Sequence, residues 1–104
     1  MAITQAMCTS FKSQLLTGTH NFTNGTGNTF KLALYAIGGG GKSSTTATLG
    51  ASTTAFTTTG EVASSGSYAT GGGTLTNVTP TTSGTTAFTD FSDLSFTTAT
   101  ITAR

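Results

Sequence analysis

The sequence predicts an all-β protein: a β-sandwich of short strands with one N-terminal amphipathic helix, in a single domain over residues 1–104. Three observations lead to this prediction. Only residues 3–17 carry a helical repeat, and 28 of the 104 residues are Thr. The remaining sequence, within residues 29–104, divides into short apolar and β-branched runs between glycine-rich turns, which is typical of sandwiches.

The helix is predicted from apolar residues that recur every fourth position, Ile3, Met7, Phe11 and Leu15. Gly18 follows where the residue after a helix is often glycine. A helix of about 15 residues is only marginally stable alone, so we expect the stripe to be buried against a sheet or a neighbouring subunit. If Phe11 is fully buried, Phe11→Ala should cost about 3–5 kcal/mol.

The strongest predicted strand covers residues 29–37, after a segment with the turn dipeptides Asn24-Gly25 and Gly27-Asn28. Its residues alternate between apolar and other side chains, so we expect a central position in the sheet. Glycines 38–41 end it. Residues 42–60 are rich in Thr, Ser and Ala with few apolar anchors, which predicts a long irregular loop with at most one short strand.

The next segment, residues 61–69, is predicted to be anchored by Val62 and Tyr68. A short strand is expected over residues 74–78 with Leu75 pointing inward. Pro80 lacks the N–H group that a central strand needs, so it marks an edge or a turn.

The last part of the chain predicts two strands, over residues 85–91 and 94–103, around Ser92-Asp93. The inward parity changes at Thr97-Thr98, which predicts a β-bulge there. Strand parity then predicts one core between two sheets, formed by Phe30, Leu32, Leu34, Leu75, Phe88, Phe96 and Ile101.

Composition excludes several classes of function. The chain has four Lys or Arg, three Asp or Glu and a net charge of +1, too little to hold a nucleic-acid backbone. A single Cys permits no internal disulfide and leaves the redox compartment open. The start lacks the basic and apolar regions of a signal peptide, and the longest apolar run is far below the about 20 residues of a membrane-spanning helix. We therefore expect no nucleic-acid or membrane partner.

A glycine-rich segment, residues 36–43, ends in Gly-Lys-Ser and is similar to a phosphate-binding loop. The context does not fit, because β-branched residues and Gly50 follow where a helix should receive the phosphates. We interpret this segment as a flexible loop and expect no ATP binding.

Two further pairs have both a chemical and a structural interpretation. Cys8 and His20 could form a nucleophile and base, but a buried small residue and a turn histidine fit their positions better. Asp90 and Asp93 could ligate Ca²⁺, although carboxylates near a turn more often cap the backbone.

Two features of the sequence, its tyrosines and its Asn-x-Thr sequences, could also indicate surface sites. Tyr35 and Tyr68 could stack on sugars, or they could belong to the core. Three Asn-x-Thr sequences match the glycosylation pattern, but such matches arise by chance in a Thr-rich chain. We expect no catalytic, cofactor-binding or metal-binding residues and no cofactor.

Several blocks of sequence carry a resemblance over nearly the whole chain. The chain opens MAITQAMCTSFK and continues LLTGTHNF at residues 15–22. Later blocks are FKLALY at 30–35, TGEV at 59–62, GGTLTNV at 72–78 and FTDFSDL at 88–94. Together they resemble a family of small structural proteins of tailed-bacteriophage virions.

The resemblance implies a component of the virion and carries over no catalytic residues. Within the particle we favour a capsid decoration or cement protein that associates with itself and with major capsid subunits, because low charge, abundant Thr for β-edges and a thin core suit a module stabilised by neighbours. The alternative is a tail or fibre component, with a receptor- or glycan-binding face. The resemblance also implies relatives that continue beyond Arg104 and have fewer glycines at 38–41. We expect the interface to include the helical stripe and the last strand, through Phe11, Leu15, Ile101 and Arg104.

Overall fold

The computed structural model describes residues 6–35, 49–101 and 103. In chain order these residues form helix α1 (Thr9–Leu16) and strands β1 (Phe30–Leu32), β2 (Gly73–Leu75), β3 (Asn77–Ser83) and β4 (Thr86–Phe91). β1 pairs with β2 and β3 pairs with β4, in two antiparallel two-stranded sheets. The described part of the chain is therefore β-rich with one short helix, as the sequence predicts at this coarse level.

Helix α1 is shorter than the predicted helix over residues 3–17, because a tertiary hydrogen bond determines where it begins. Thr9 N donates to Ala51 O at 2.8 Å. Cys8 immediately before it has extended backbone, with φ −58° and ψ 133°. The apolar repeat runs past this point in the sequence, but the backbone at Cys8 is not helical.

The predicted end of the helix at Gly18 is confirmed. Gly18 has a φ of 71°, which an L-residue with a side chain rarely adopts. Gly18 N donates to Leu15 O and Thr19 N donates to Gln14 O. These two bonds form a Schellman motif, which satisfies the last carbonyl groups of the helix.

The predicted buried stripe on the helix is wrong for the residues that the structure describes. No residue of α1 is buried. Leu15 is 41% exposed, and Met7, which precedes the helix, is 52% exposed. Phe11 is half-buried, so Phe11→Ala should cost less than the about 3–5 kcal/mol of a fully buried aromatic residue. Ile3 lies outside the described residues.

Strand β1 is only three residues long and pairs with β2 alone, which corrects the prediction of a central strand over 29–37. After Leu32 the backbone turns to other partners. Leu34 N donates to the Tyr68 hydroxyl, and Leu34 O accepts from Val62 N. These tertiary bonds replace a continued ladder. Residues 36–48, which include the glycine-rich segment, lie outside the described residues.

One glycine permits the close approach of two backbone segments at the end of this sheet. Gly72 has a φ of 95°, and a Cβ atom there would lie 2.5 Å from Leu32 O. Neither the conformation nor the space accommodates a side chain. β2 therefore begins directly after a glycine whose lack of a side chain lets the backbone approach Leu32 of β1 closely.

The predicted strand over residues 74–78 is divided at Thr76, whose carbonyl accepts from Ser92 N at 2.9 Å. β3 then extends to Ser83, farther than the sequence predicts. The register of β3 against β4 shifts between Val78 and Thr81. Pro80 lies at this irregularity, in agreement with its predicted edge character.

The predicted strand over residues 85–91 is confirmed as β4, which forms a hairpin with β3. Ser83 pairs with Thr86, so the connection has two residues, Gly84 and Thr85. Gly84 has a φ of 60° and Thr85 has no positive φ. A glycine at the first position of a two-residue turn is the pattern of type II′, which matches the twist of a hairpin.

Residues 94–101 form a turn and extended segments, which corrects both the predicted strand over 94–103 and the predicted bulge at Thr97-Thr98. Thr98 has a φ of 54°. Thr97 O accepts from Ser67 N at 3.0 Å, and Thr100 N donates to Ser65 Oγ at 2.8 Å. The change of parity in the sequence is thus produced by a turn that docks on a neighbouring loop.

The apolar residues form two clusters, which corrects the prediction of one core between two sheets. In the first cluster Val62 and Tyr68 are buried, as the sequence predicts, and partly buried residues pack on them: Leu34, Phe96 and Ile101. Leu32 and Phe88, predicted core residues, are 45% and 48% exposed.

The second cluster consists of half-buried aromatic rings and joins the two sheets to the helix. Phe22 and Phe30 are stacked with centroids 4.4 Å apart, and Phe91 lies 5.7 Å from Phe30. Phe11 and His20 are 4.8 Å apart at the helical end of the cluster. Edge and offset contacts of this kind stabilise partly exposed aromatic groups.

Candidate functional site

The most buried polar group in the described chain is the carboxylate of Glu61, in the segment anchored by Val62 and Tyr68. Glu61 is 2% exposed and Tyr68 is 1% exposed. Glu61 Oε1 accepts from the Tyr68 hydroxyl at 2.7 Å and from Gly71 N at 2.6 Å. The same hydroxyl accepts from Leu34 N at 2.9 Å. This network connects Leu34 to residues 61–71 through two oxygen atoms, the Tyr68 hydroxyl and Glu61 Oε1.

Two tyrosines beside Glu61 have raised pKa values. Burial raises the pKa of the Tyr68 phenol, the hydrogen bond from Leu34 N lowers it, and the bond to Glu61 raises it again. Burial and the charge of Glu61 raise the pKa of Tyr35. Both phenols therefore remain protonated donors at neutral pH, and Tyr35 donates to Thr57 O at 2.5 Å.

The geometry around Glu61 indicates a structural role. A general acid or base must reach its substrate, but this side chain is enclosed and its Oε1 already accepts from Tyr68 and Gly71. Glu61 Oε2 is buried and has no hydrogen-bond partner among the described residues. Sequence analysis did not single out Glu61, because nothing in its local sequence distinguishes a buried glutamate from an exposed one.

Between α1 and residues 49–56 lies an open groove with a volume of about 260 Å³. Hydrogen bonds from Ser10 Oγ to Thr53 O and from Cys8 Sγ to Gly50 O hold its two sides together. Its lining is mostly apolar and uncharged, with Phe11, Leu49 and Phe56 among the contributors. Such a surface can accommodate an apolar side chain, and no Asp, Glu, Lys or Arg is among the described residues that line it.

The structure brings Cys8 and His20 to this same groove but gives them different partners. Cys8 Sγ donates to the Gly50 carbonyl at 3.6 Å. His20 Nε2 lies 2.8 Å from Gln14 Oε1. Thiolate formation needs a base or cation directed at the sulfur, so the geometry favours the structural interpretation of both residues.

The other sequence candidates take structural positions. Asp90 lies inside β4, and its Oδ1 accepts from the adjacent Phe91 N at 2.8 Å, which is not the turn capping that the sequence predicts. In the described ranges no three His, Cys, Asp or Glu side chains gather where they could hold a metal ion. Tyr68 is enclosed in the core, so it cannot stack on a sugar together with Tyr35.

The predicted interface residues have unequal surroundings. Leu15 is exposed, whereas Phe11 belongs to the aromatic cluster and Ile101 packs against the buried core. Arg104 lies outside the described residues. A neighbouring residue that sequence analysis did not select, Leu16, is 91% exposed. In the described ranges no helix is long and apolar enough to span a membrane.

The largest exposed regular element is the hairpin of β3 and β4. Every residue of the two strands except Asn77 and Phe91 is exposed. The apolar side chains of Val78 and Phe88 are 41% and 48% exposed. They share one face, because Val78 pairs with Asp90 and Phe88 lies two residues before Asp90 on the same strand.

Asn77 attaches the base of this hairpin to the rest of the molecule. Its Nδ2 donates to Thr23 O at 3.3 Å and to Asn28 O at 2.9 Å. At the same level Phe91 packs against Phe22 and Phe30. Beyond this base, none of the strand residues is buried, so the hairpin is a candidate association surface.

None of the protein-family models, curated proteins or solved structures compared with the chain matches it. Function is therefore argued from the sequence and the geometry of these surfaces.

Proposed function

We propose that this protein is a structural component of a tailed-bacteriophage virion and acts by association with other proteins, without catalysis. The sequence blocks given above support the virion assignment by resemblance. Within the virion, we favour a capsid decoration or cement protein that contacts major capsid subunits and further copies of itself.

The observation that carries the association role is the exposed β3–β4 hairpin. A two-stranded hairpin that buries neither face is only marginally stable in water. Here both strands are regular, yet only residues at the base are covered by the described chain. A partner that covers the Val78–Phe88 face would supply the burial that the hairpin lacks.

The chemistry of the described side chains supports a non-enzymatic role. The buried carboxylate of Glu61, the thiol of Cys8 and the imidazole of His20 each have a hydrogen-bond partner in the protein. The Cys8 bond joins distant parts of the chain, and the other two bonds join residues six or seven positions apart. The near-neutral charge of the chain also places no long-range repulsion between closely spaced copies.

The β-sandwich belongs to the same proposal. Phe30 of β1 and Phe91 of β4 bring the two sheets into contact. Strands supplied by neighbouring proteins would extend each two-stranded sheet into a full layer. Stable interfaces of standard size bury about 1,600 Å² in total, and the hairpin faces would contribute to that area.

The test uses particles assembled with and without this protein. We expect purified virions to contain many copies, and particles that lack the protein to lose their genome at a lower temperature. Normal heat stability combined with loss of adsorption to cells would contradict the capsid role and support the tail or fibre alternative.

A pair of variants tests the role of the hairpin. Phe88→Glu places a charge on its exposed apolar face and should reduce the amount of protein retained on particles. Phe56→Glu makes the same change at a residue that is 59% exposed outside the hairpin, and we expect normal retention. Equal retention of the two variants would contradict the assignment of the hairpin as the association surface.

A further inference from the structure

The two edges of the hairpin differ in their capacity to pair with another strand. The β3 edge contains Pro80 and the register irregularity between Val78 and Thr81. Proline and irregular pairing are features that block edge-to-edge association. The β4 edge runs from Thr86 to Phe91 without proline or irregularity. An incoming strand would therefore add to β4.

The two-residue turn defines which backbone groups of β4 face outward. Ser83 and Thr86 flank the turn, so their N–H and C=O groups point toward each other. The N–H and C=O groups of successive residues point alternately to the two sides of a strand. Those of Ala87 and Thr89 therefore point away from β3. The backbone hydrogen bonds of the described residues give these outward groups no partner.

The next N–H group that faces outward along β4, that of Phe91, already has a hydrogen-bond partner. Phe91 N donates to the side chain of Asp90 at 2.8 Å. The outward N–H groups that remain without a partner among the described residues of the strand are thus those of Ala87 and Thr89, which lie symmetrically on either side of Phe88. Such an arrangement is self-complementary under a two-fold rotation.

We propose that β4 pairs antiparallel with β4 of a second copy of this chain, so that Ala87 of each copy exchanges backbone hydrogen bonds with Thr89 of the other. This inference rests on the proposed role of the hairpin as an association surface and names its partner. The result is a continuous four-stranded sheet across a two-fold axis, the commonest symmetry of protein dimers.

Side chains on the strand fit this register. Phe88 lies opposite Phe88 of the second copy in a close, non-hydrogen-bonded pair, where aromatic contacts are favourable. Asp90, the one charged residue of the strand, lies opposite Thr86 and not opposite a second carboxylate. A shift by one pair toward Phe91 would require the N–H of Phe91, which Asp90 already holds. A shift in the other direction would pair Thr89 with Thr85, which belongs to the turn.

Sedimentation equilibrium of the purified protein, from about 1 µM to about 1 mM to include weak association, tests the proposal. We expect a monomer–dimer equilibrium for the unmodified chain. Thr89→Pro removes an outward N–H and should weaken dimerisation by about tenfold or more. Thr82→Pro is the matched control, because by the same alternation its N–H faces outward from the other edge, and it should dimerise normally. Circular dichroism would verify that each variant folds.

Cysteine cross-linking tests the register in a Cys8→Ser background. Phe88→Cys should give a covalent dimer on mild oxidation, because the two residues would be directly opposite. Thr86→Cys, on the same face but opposite Asp90, should cross-link far more slowly. A monomer at all concentrations, or a dimer that Thr89→Pro leaves intact, would overturn the proposal. A monomeric protein that still stabilises particles would reject self-pairing and leave the proposed virion function standing.

Discussion

The segment around Glu61 has buried side chains but no regular secondary structure, whereas the β3–β4 hairpin is regular but exposed. Residues 61–69 contain no helix and no named strand, yet they hold the most buried side chains of the described chain, Glu61 and Tyr68. The hairpin has the longest paired strands and buries almost nothing beyond Asn77. Regular hydrogen bonding alone thus does not mark the stable centre of this molecule.

The difference follows from where each region finds its partners. The Glu61 segment is held by side chains and backbone groups from distant parts of the same chain, including Leu34, Gly71 and Thr97. The hairpin closes on itself through a local turn, and its hydrogen bonds to the rest of the described chain lie near its base, at Asn77 and at Thr79, whose Oγ1 accepts from Asn24 N at 3.1 Å. The first region should respond to substitutions as a protein core does, and the second as a surface does.

The largest effect should come from truncating the aromatic residue at the centre of the first region. Tyr68→Ala should lower the free energy of unfolding by about 3–5 kcal/mol, since the ring is fully enclosed. Phe88→Ala in the hairpin should change it by less than about 1 kcal/mol at concentrations where the protein is monomeric. Urea unfolding of both variants measures the difference, and similar losses would contradict the comparison.

The second-largest effect distinguishes the free-energy cost of a left-handed backbone from the cost of a steric clash. Gly71 and Gly72 both have positive φ, 102° and 95°, but only Gly72 lies against Leu32 O. Gly71→Ala should cost about 1–2 kcal/mol, the penalty of left-handed backbone for a residue with a side chain. Gly72→Ala should cost more, because the backbone of β1 must also move. Thermal unfolding gives both values, and equal costs would mean that the close approach relaxes freely.

A smaller effect isolates the hydrogen bonds from the packing. Tyr68→Phe keeps the ring but removes the hydroxyl that donates to Glu61 and accepts from Leu34. Leaving buried polar groups without a partner should cost about 1–3 kcal/mol. Tyr35→Phe, at a half-buried ring whose hydroxyl donates only to Thr57 O among the described partners, is the control and should cost less. A larger loss of stability in Tyr35→Phe than in Tyr68→Phe would mean that the hydrogen bond of Tyr35 contributes more than those of Tyr68.

The smallest effect concerns alkaline pH. The pKa values of Tyr35 and Tyr68 are raised above 10.0 in the folded protein by burial, with Glu61 also raising both. As pH rises through 10, the unfolded chain therefore loses these protons first. We expect stability to be independent of these groups below about pH 9 and to fall above about pH 10. Tyr68→Phe should show a shallower fall, and an unchanged slope would exclude Tyr68 as a cause.

Features that depend on neighbouring residues could be predicted from the sequence. Gly18 ends the helix because a positive φ is needed there, and the predicted strand over residues 85–91 forms as β4. Val62 and Tyr68 were identified as anchors because few other apolar residues occur near them.

Features that depend on distant partners could not be predicted from the sequence. The hydrogen bond from Thr9 to Ala51 moves the start of the helix, and Leu34 leaves the ladder for Tyr68 and Val62. The final segment turns at Thr98 because it docks on the loop around Gly66. Apolar and Thr-rich patterns are compatible with several strand pairings. Contacts between residues that are far apart in the sequence decide among these pairings, and the residues near each strand do not determine the free energies of those contacts.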